Sequence, residues 1–368
     1  MSLLSLFCSL LLCCLPQMIG GVLQCNVTTS NIALRRTTSG SRVVAQDGNI
    51  ANVKENGSFV LMGMSYGDCV FDACANTSAG ACGFDGPHSR FLIWTSPSLG
   101  DGSWSEPREV LPFAERPAIT AGAIFFRPHL VYNVKSNEWV FWVRWLPPLS
   151  PSLSGDPTLY LSASSPTLDG PFIVRNANVS MFYPNSADDN LFVDPLDGSG
   201  YIIHTARSTG TKIVVERLTP DFYACAGATD PTARSDLIGP GHTEAPSMWM
   251  AFGRYYISFS PLCCYCIAGS PTMVFSSTAP LGPYSPAGNL GNAPRAQQNF
   301  VFSQSGLIQG TLWSGSRWGS DPLESPPLFD NSLQYWTPLS YQSDGSVIPL
   351  IWKNTSTVTV SVDGTVCP

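Results

Sequence analysis

One pattern recurs five times along the chain: a short run of apolar, aromatic and β-branched residues bounded by Gly, Pro, Asn or Asp. Such runs are typical of β-strands joined by tight turns. No stretch of the 368 residues shows sustained helical periodicity. The five runs are SFVLMGMSY (58–66), EWVFWVRW (138–145), GYIIHTAR (200–207), RYYISFS (254–260) and GTLWSGSRW (310–318).

A second repeated element follows three of these runs. It has the character of a strand ending in Ser or Thr, a Pro-Leu turn and an exit through Gly, Pro or an aromatic residue. The three copies are WTSPSLGDGSWSEP (94–107), SASSPTLDGPF (162–172) and SSTAPLGPY (276–284). Self-similarity at a spacing of roughly 55 to 80 residues, with several strands per unit, is typical of a β-propeller.

We therefore predict an all-β fold, a five-bladed β-propeller. We expect residues 31–44 to supply a strand that closes the ring with the last blade. A pair of β-sandwich domains is the alternative. The low charged fraction of 12%, with 32 Gly and 31 Pro, argues against disorder and against a helical bundle.

The N-terminus resembles a secretory signal. Residues 3–15 are apolar, too few to span a bilayer, and the first charged side chain is Arg35. We expect a signal peptide at residues 1–24, one domain at residues 25–368 and a secreted, extracellular protein. The net charge of −7 and the absence of Lys/Arg runs argue against nucleic acids and membranes as partners, and we expect a monomer.

Cysteine use agrees with an oxidising compartment. Nine cysteines remain after residue 24, an odd number that requires a free thiol or a partner outside the chain. We expect Cys25 and Cys367 to tie the two ends, and two clusters to staple loops: Cys69, Cys74 and Cys82, and Cys263, Cys264 and Cys266. A zinc site in the second cluster is the alternative, but its spacing lacks a second ligand pair, so we expect no metal or other cofactor. Five glycosylation sequons begin at Asn26, Asn56, Asn76, Asn178 and Asn354.

Four of the five strand pairs are preceded by a short polar signature: QDGNI (46–50), RPHL (127–130), ADDNL (187–191) and EAPS (244–247). The first strand of each propeller blade lines the central channel, so these positions converge at one end of the axis. Asp47, Arg127, Asp188 and Glu244 would then share one pocket. A glycosidase needs such a set: a base, an acid and a neighbouring charge that sets the pKa of the acid.

Each of these residues also has a purely structural interpretation. Asp47 and Asp188 are of a type that commonly caps turns. Arg127 could be the ion-pair partner of a carboxylate, and Glu244 could be a surface residue before a hairpin.

The motifs, in their order, resemble those of glycoside hydrolase family 43, in particular the branch that includes exo-β-1,3-galactanases. The resemblance covers nearly all of residues 25–368. The segments that carry it are AQDGNI (45–50), RPHLVYN (127–133), ADDNLFVD (187–194), EAPSMW and GRYYISFS (244–260), QQNFVF (297–302), GSRW (315–318) and YWTPLSY (335–341). The resemblance implies a five-bladed propeller and hydrolysis with inversion by a single displacement.

The resemblance also implies roles for three carboxylates. Glu244 would be the general acid that protonates the leaving oxygen. Asp188 would position Glu244 and keep it protonated, because a nearby like charge disfavours ionisation. Asp47 matches the family's base and would activate the water.

Departures from the family concern mainly the sugar-binding positions. In the galactanase branch Gly replaces the first-blade Asp and a Gln serves as base, whereas Asp47 and Gln297 coexist here. Phe126 stands where the branch often has Glu. We expect four residues to bind substrate: Arg127, Gln297, Trp318 and His242.

We therefore expect a hydrolase acting on a galactan, arabinan or xylan type of polysaccharide or oligosaccharide. The alternative is a catalytically inactive secreted propeller that binds glycans or proteins.

Overall fold

The computed structural model describes residues 18–19, 22–67, 89–147, 158–263, 265, 267–320, 329–363 and 367. Strands β1 (Met18–Ile19) and β2 (Val22–Ser30) begin this part of the chain. Five antiparallel sheets follow, each formed by strands that are consecutive in the chain. They form a ring, so the five-bladed β-propeller is confirmed.

Each blade begins with its inner strand. Blade 1 comprises β3 (Gln46–Glu55), β4 (Ser58–Ser65), β5 (Arg90–Ser96) and β6 (Arg108–Val110). Blade 2 comprises β7 (Ile124–Asn133), β8 (Glu138–Leu146), β9 (Leu159–Ser165) and β10 (Ile173–Val179). Blade 3 comprises β11 (Ser186–Val193), β12 (Gly200–Ala206) and β13 (Lys212–Arg217).

Blades 4 and 5 continue the same order. Blade 4 comprises β14 (Thr243–Ala251), β15 (Arg254–Pro261), β16 (Met273–Ser277) and β17 (Ser285–Asn289). Blade 5 comprises β18 (Gln297–Phe302), β19 (Leu312–Arg317) and β20 (Leu333–Pro338). The helices in the described ranges are single 3-10 turns: Phe113–Glu115, Ala118–Thr120, Arg207–Thr209, Ala226–Ala228, Pro231–Ala233 and Phe329–Asn331. None of them has the length or apolar character needed to span a bilayer.

The five repeated runs form the second strands of the blades: β4, β8, β12, β15 and β19. Most of their residues are buried, because each blade packs against a neighbour on either face. A strand covered on both faces has no solvent side and therefore shows a continuous apolar run instead of alternation. Trp94, Trp139, Trp142 and Trp249 are fully buried among the blades. Burial of each large apolar side chain stabilises the fold by about 2–3 kcal/mol.

The predicted closing strand at residues 31–44 is wrong. This segment has isolated bridges at Arg36 and Thr37 and no extended strand. It crosses the last blade through Arg35, whose guanidinium lies 3.7 Å from the centroid of the Trp336 ring. Residues 37–41 (TTSGS) are turn formers, and they support a tight turn here instead of a ladder.

The chain ends pair with each other instead. β2 is antiparallel to β21 (Thr355–Asp363) along its whole length, from Val22↔Asp363 to Ser30↔Thr355. The pair forms a separate sheet with β1 that contacts β20. The ring itself closes where β3 packs against β18.

The predicted disulfide between Cys25 and Cys367 is confirmed, with the two Cα atoms 5.5 Å apart. Cys225 is a buried free thiol, and Cys263 is disulfide-bonded. The predicted staples at Cys69, Cys74, Cys82, Cys264 and Cys266 lie outside the described residues. The sequon asparagines Asn26, Asn56, Asn178 and Asn354 are exposed, and Asn76 lies outside the described part.

Candidate active site

All five inner strands carry a β-bulge near their first residues. The pairing register shifts between Gln46 and Asn49, Phe126 and His129, Ser186 and Asp189, Glu244 and Ser247, and Gln298 and Phe300. A bulge inserts one residue and redirects side chains. The four polar signatures occupy four of these bulges.

Three bulge residues have an unusual backbone conformation. Asp47, Arg127 and Ala245 have φ values of 53°, 49° and 53°, in the left-handed region that residues other than Gly rarely adopt. Gly48 allows a close approach, because a Cβ there would lie 1.8 Å from the Met62 carbonyl oxygen. The bulges thus direct polar side chains to one end of the axis.

Glu244 is buried, and one of its carboxyl oxygens is held by two donors. Oε1 accepts hydrogen bonds from the Cys263 backbone N–H at 2.7 Å and from Gln297 Nε2 at 2.8 Å. These donors occupy the lone pairs of Oε1. A proton on the carboxyl group therefore belongs on Oε2.

The pKa of Glu244 is raised to about 8. Burial is the main cause, and the negative charge of Asp188 acts in the same direction. The Cys263 N–H, Arg127 and Arg144 act in the opposite direction without cancelling the effect. Glu244 is therefore protonated at neutral pH, as a general acid must be.

The pKa of Asp188 is shifted in the opposite direction, below its usual value. Burial alone would raise its pKa, but Arg127, Arg144, Arg207 and the Ala245 backbone N–H outweigh burial and lower the pKa. The shortest of these contacts joins Arg144 Nη1 to Asp188 Oδ1 at 3.0 Å. Asp188 is thus a fixed negative charge beside a protonated Glu244.

Arg127 lies between two carboxylates. Its Nε is 3.6 Å from Asp47 Oδ1 and 3.7 Å from Asp188 Oδ2, and its Nη2 donates to the Gln298 carbonyl oxygen at 3.0 Å. The side chain is 5% exposed, so these contacts fix its position. Of its two predicted roles, the geometry matches the one that orients carboxylates.

Asp47 is the second carboxylate in contact with Arg127. Its Oδ2 accepts a hydrogen bond from the Tyr66 hydroxyl. Burial raises the pKa of Asp47 above its usual value and Asp188 adds to this, while Arg127 and Tyr66 act against it. A carboxylate with a raised pKa is a stronger base once it is ionised.

Gln297 and Trp318 form a chain of hydrogen bonds that ends at Glu244. Gln297 Nε2 donates to Glu244 Oε1 and, at 3.1 Å, to the Cys263 carbonyl oxygen. Its Oε1 accepts from Trp318 Nε1 at 2.7 Å. Trp318 is 2% exposed and packs against Tyr66 and other rings, so the structure gives it no open ring face for a sugar. Both residues were predicted to bind substrate, and both contact the protein's own acid network.

His242 is exposed, two residues before Glu244. Its backbone N–H donates to the Gly210 carbonyl oxygen at 2.9 Å. Because the side chain is exposed, it lies outside the buried network.

No family model matches the chain, and no curated protein matches it. Solved structures do. A β-1,3-galactosidase described as GH43 has a TM-score of 0.67 at 21% identity, over 90% of this chain and 63% of that one. An exo-β-1,3-galactanase from Clostridium thermocellum has a TM-score of 0.66 at 22% identity, over 89% and 66%. The exo-β-1,3-galactanase from Phanerochaete chrysosporium, solved with galactose, has a TM-score of 0.67 at 19% identity, over 91% and 69%.

The chain has the fold of glycoside hydrolase family 43. It spans less than two thirds of the length of the first two of these structures. At the bulged ends of the inner strands, ion pairs join the predicted residues Asp47, Arg127 and Asp188, and a hydrogen bond joins Gln297 to Glu244. The charges of Asp188 and Arg127 act on Glu244, so the two groups belong to one network.

Four residues of this network were not predicted from the sequence: Tyr66, Arg144, Arg207 and Cys263. Tyr66, Arg144 and Arg207 stand at or next to the last position of three repeated runs. In a hairpin the second strand returns to the end where the first strand began, so these positions face the bulges. The pairing of Phe126 with Arg144 is an example. A search of the run ends would have found these three residues.

Proposed function

We propose that the chain is a glycoside hydrolase that inverts the anomeric carbon, with Glu244 as general acid and Asp47 as general base. One observation carries the proposal. Glu244 is held protonated, because its Oε1 accepts two hydrogen bonds and its pKa is raised to about 8, while a second carboxylate, Asp47, contacts Arg127. The family 43 fold supports it.

The chemistry follows from the positions of the protons. Glu244 Oε2 donates its proton to the glycosidic oxygen as the bond to the anomeric carbon breaks. Asp47 Oδ1 accepts a proton from the water that attacks the opposite face. In an inverting enzyme the two carboxyl groups are roughly 6.5 to 9.5 Å apart, which leaves room for that water. Asp188 stays ionised and stabilises the positive charge that develops on the sugar ring.

The substrate we propose is a β-1,3-linked galactan or galactose-containing oligosaccharide. The support is the likeness to a β-1,3-galactosidase and to exo-β-1,3-galactanases, one of them solved with galactose. Arabinan and xylan side chains are the alternative substrates, and they should be assayed beside the galactan.

The expected product tests both activity and stereochemistry. During hydrolysis of β-1,3-galactobiose reduced to its galactitol form, in which only the released galactose has an anomeric carbon, we expect proton NMR to detect α-galactose first and β-galactose only after mutarotation. Early release of β-galactose contradicts inversion. Binding of the disaccharide without hydrolysis favours the inactive glycan-binding propeller.

We also propose that the protein is secreted. The disulfide between Cys25 and Cys367, the disulfide-bonded Cys263 and the exposed sequon asparagines support this. Mass spectrometry of the mature N-terminus tests it.

Trp318→Phe should lower kcat about tenfold, equivalent to one lost buried hydrogen bond. Phe keeps the ring but removes the Nε1–H that fixes Gln297 and, through it, Glu244. The matched control is Trp142→Phe, which loses a bond of 2.8 Å to the Phe222 carbonyl oxygen in blade 2. Thermal unfolding should show that both variants are destabilised. Steady-state kinetics should show a lower kcat for Trp318→Phe alone. An equal kcat in both variants contradicts the positioning role.

A further inference from the structure

The carboxylate of Asp47 is contacted at both of its oxygens. Oδ1 lies 3.6 Å from Arg127 Nε, and Oδ2 accepts a hydrogen bond from the Tyr66 hydroxyl. Asp47 itself lies in the bulge of β3, where its φ is 53°. The direction of this carboxylate is therefore set by the bulge, by Arg127 at one oxygen and by Tyr66 at the other.

Tyr66 is built into the interior of the protein. It directly follows β4 and is completely buried. The centroid of its ring lies 5.3 Å from that of Phe329 and 6.5 Å from that of Trp318. Buried tyrosine hydroxyls usually have a hydrogen-bond partner, and the partner here is the carboxylate of Asp47.

Asp330 attaches blade 5 to the end of β4. It lies in the 3-10 turn Phe329–Asn331. Its Oδ1 accepts a hydrogen bond from the Tyr66 backbone N–H at 2.6 Å, and its Oδ2 accepts one from the Ser65 hydroxyl at 2.5 Å. An ionised carboxylate is a strong acceptor. Asp330 thus fixes the backbone of the residue whose hydroxyl contacts Asp47.

Gln297 is the second residue that the sequence offers as a base, and its amide is bonded at both ends. Nε2 donates to Glu244 Oε1 and to the Cys263 carbonyl oxygen, and Oε1 accepts from Trp318 Nε1. These bonds commit Gln297 to the acid. Activation of the water therefore belongs to Asp47, and the residues that hold Asp47 bear directly on catalysis.

We infer that Tyr66 is the positioning residue of the general base and that Asp330 anchors it. The Tyr66 hydroxyl holds Asp47 Oδ2, so that Oδ1 stays directed at the attacking water. Burial and the nearby Asp47 and Tyr265 raise the pKa of Tyr66 well above its usual value, so the hydroxyl remains a donor throughout an assay. The inference rests on the proposed function and adds two residues to its mechanism.

The ionisation of Asp47 depends on burial and on four neighbouring groups. Burial is the main effect and raises the pKa of Asp47. The groups that lower this pKa are Arg127, Tyr66 and Arg144, and the group that raises it is Asp188. Tyr66 is the neutral member of this set, and it acts through a hydrogen bond to the ionised carboxylate. Removing its hydroxyl should therefore raise the pKa of Asp47 and leave the charges around the acid unchanged.

The test is Tyr66→Phe in the full chain, which removes the hydroxyl and keeps the ring. Activity requires ionised Asp47, so it is lost as pH falls through the pKa of that group. We expect the acidic limb of kcat/KM to rise by about one pH unit or more, the effect of one lost hydrogen bond to an ionised group. The basic limb should stay in place.

Tyr255→Phe is the matched control, because it removes a hydroxyl that donates to another buried carboxylate, Asp194 Oδ2, at 2.7 Å. It should leave both limbs in place, whatever its cost in stability. An acidic limb that stays fixed or falls in Tyr66→Phe overturns the inference.

Asp330→Ala separates anchoring from charge. Loss of its negative charge alone would lower the pKa of Asp47, whereas release of Tyr66 would raise it. We expect the acidic limb to rise in Asp330→Ala, and to rise no further in the double variant than in Tyr66→Phe alone. Asp330→Asn keeps an acceptor for the Tyr66 N–H and should move the limb less. A limb that falls or stays fixed in Asp330→Ala overturns the anchoring role. Tyr66→Phe leaves Asp330 in place and tests the inference whether or not Asp330→Ala folds.

A measurement without substrate separates the inference from the proposed function. The carboxyl ¹³C signal of Asp47, assigned by its absence in Asp47→Asn, is titrated by NMR in the unaltered protein and in Tyr66→Phe. An unchanged pKa in Tyr66→Phe overturns the inference, even if the protein hydrolyses galactobiose. A raised pKa together with full hydrolysis by Asp47→Asn supports the hold of Tyr66 on Asp47 and removes Asp47 as the base, which is a failure of the proposed function.

Discussion

Glu244→Gln is expected to lower kcat on β-1,3-galactobiose by about 10²- to 10⁴-fold, the usual contribution of a general acid. Gln has the same length, and its Oε1 can still accept the hydrogen bonds from Cys263 and Gln297. Its amide nitrogen has no proton that it can transfer to a leaving oxygen. Steady-state kinetics gives the loss, and thermal unfolding shows that the fold is retained.

A substrate with a good leaving group separates acid catalysis from general damage. An aryl galactoside with a nitrophenolate leaving group needs little protonation, so Glu244→Gln should lose far less activity on it than on galactobiose. Glu109→Gln, which weakens the pair of Glu109 with the exposed Arg90 in blade 1, is the control and should match the unaltered protein. Equal losses on the two substrates would mean that Glu244 is not the acid.

The inner-strand positions of the site could be predicted from the sequence because they carry a visible signal. Asp47, Arg127, Asp188 and Glu244 each lie in a polar signature before an apolar run. The structure explains the signal, since each signature forms a β-bulge and a bulge redirects side chains within its strand. The apolar runs themselves predicted the second strand of every blade.

Other contacts of the site, and the pairing of the chain ends, have a weaker signal in the sequence or none. The donor that fixes Glu244 Oε1 is the backbone N–H of Cys263, and a backbone group leaves no trace in residue identity. Trp318 was assigned to the substrate because tryptophan suits both sugar stacking and blade packing, and only its burial and its bond to Gln297 show which contacts it makes. The closing strand was misplaced because pairing between β2 and β21 joins residues more than 300 positions apart.

Asp188→Asn should move the whole pH profile of kcat/KM to lower pH. Activity requires protonated Glu244, so it is lost as pH rises through about 8, the pKa of that group. Asp188 raises this pKa by like-charge repulsion, and it partly neutralises Arg127 and Arg144, which lower it. The substitution removes the first effect and strengthens the second. We expect the basic limb to fall by about one pH unit or more.

The acidic limb should move in the same direction, because Asp188 also raises the pKa of Asp47 and Arg127 also lowers it. The control is Asp194→Asn in the same strand region, a buried carboxylate that accepts a bond of 2.7 Å from the Tyr255 hydroxyl. It should leave both limbs in place even if it destabilises the fold. A basic limb that stays fixed or rises in Asp188→Asn contradicts the role of Asp188, because every electrostatic change that follows its neutralisation favours ionised Glu244.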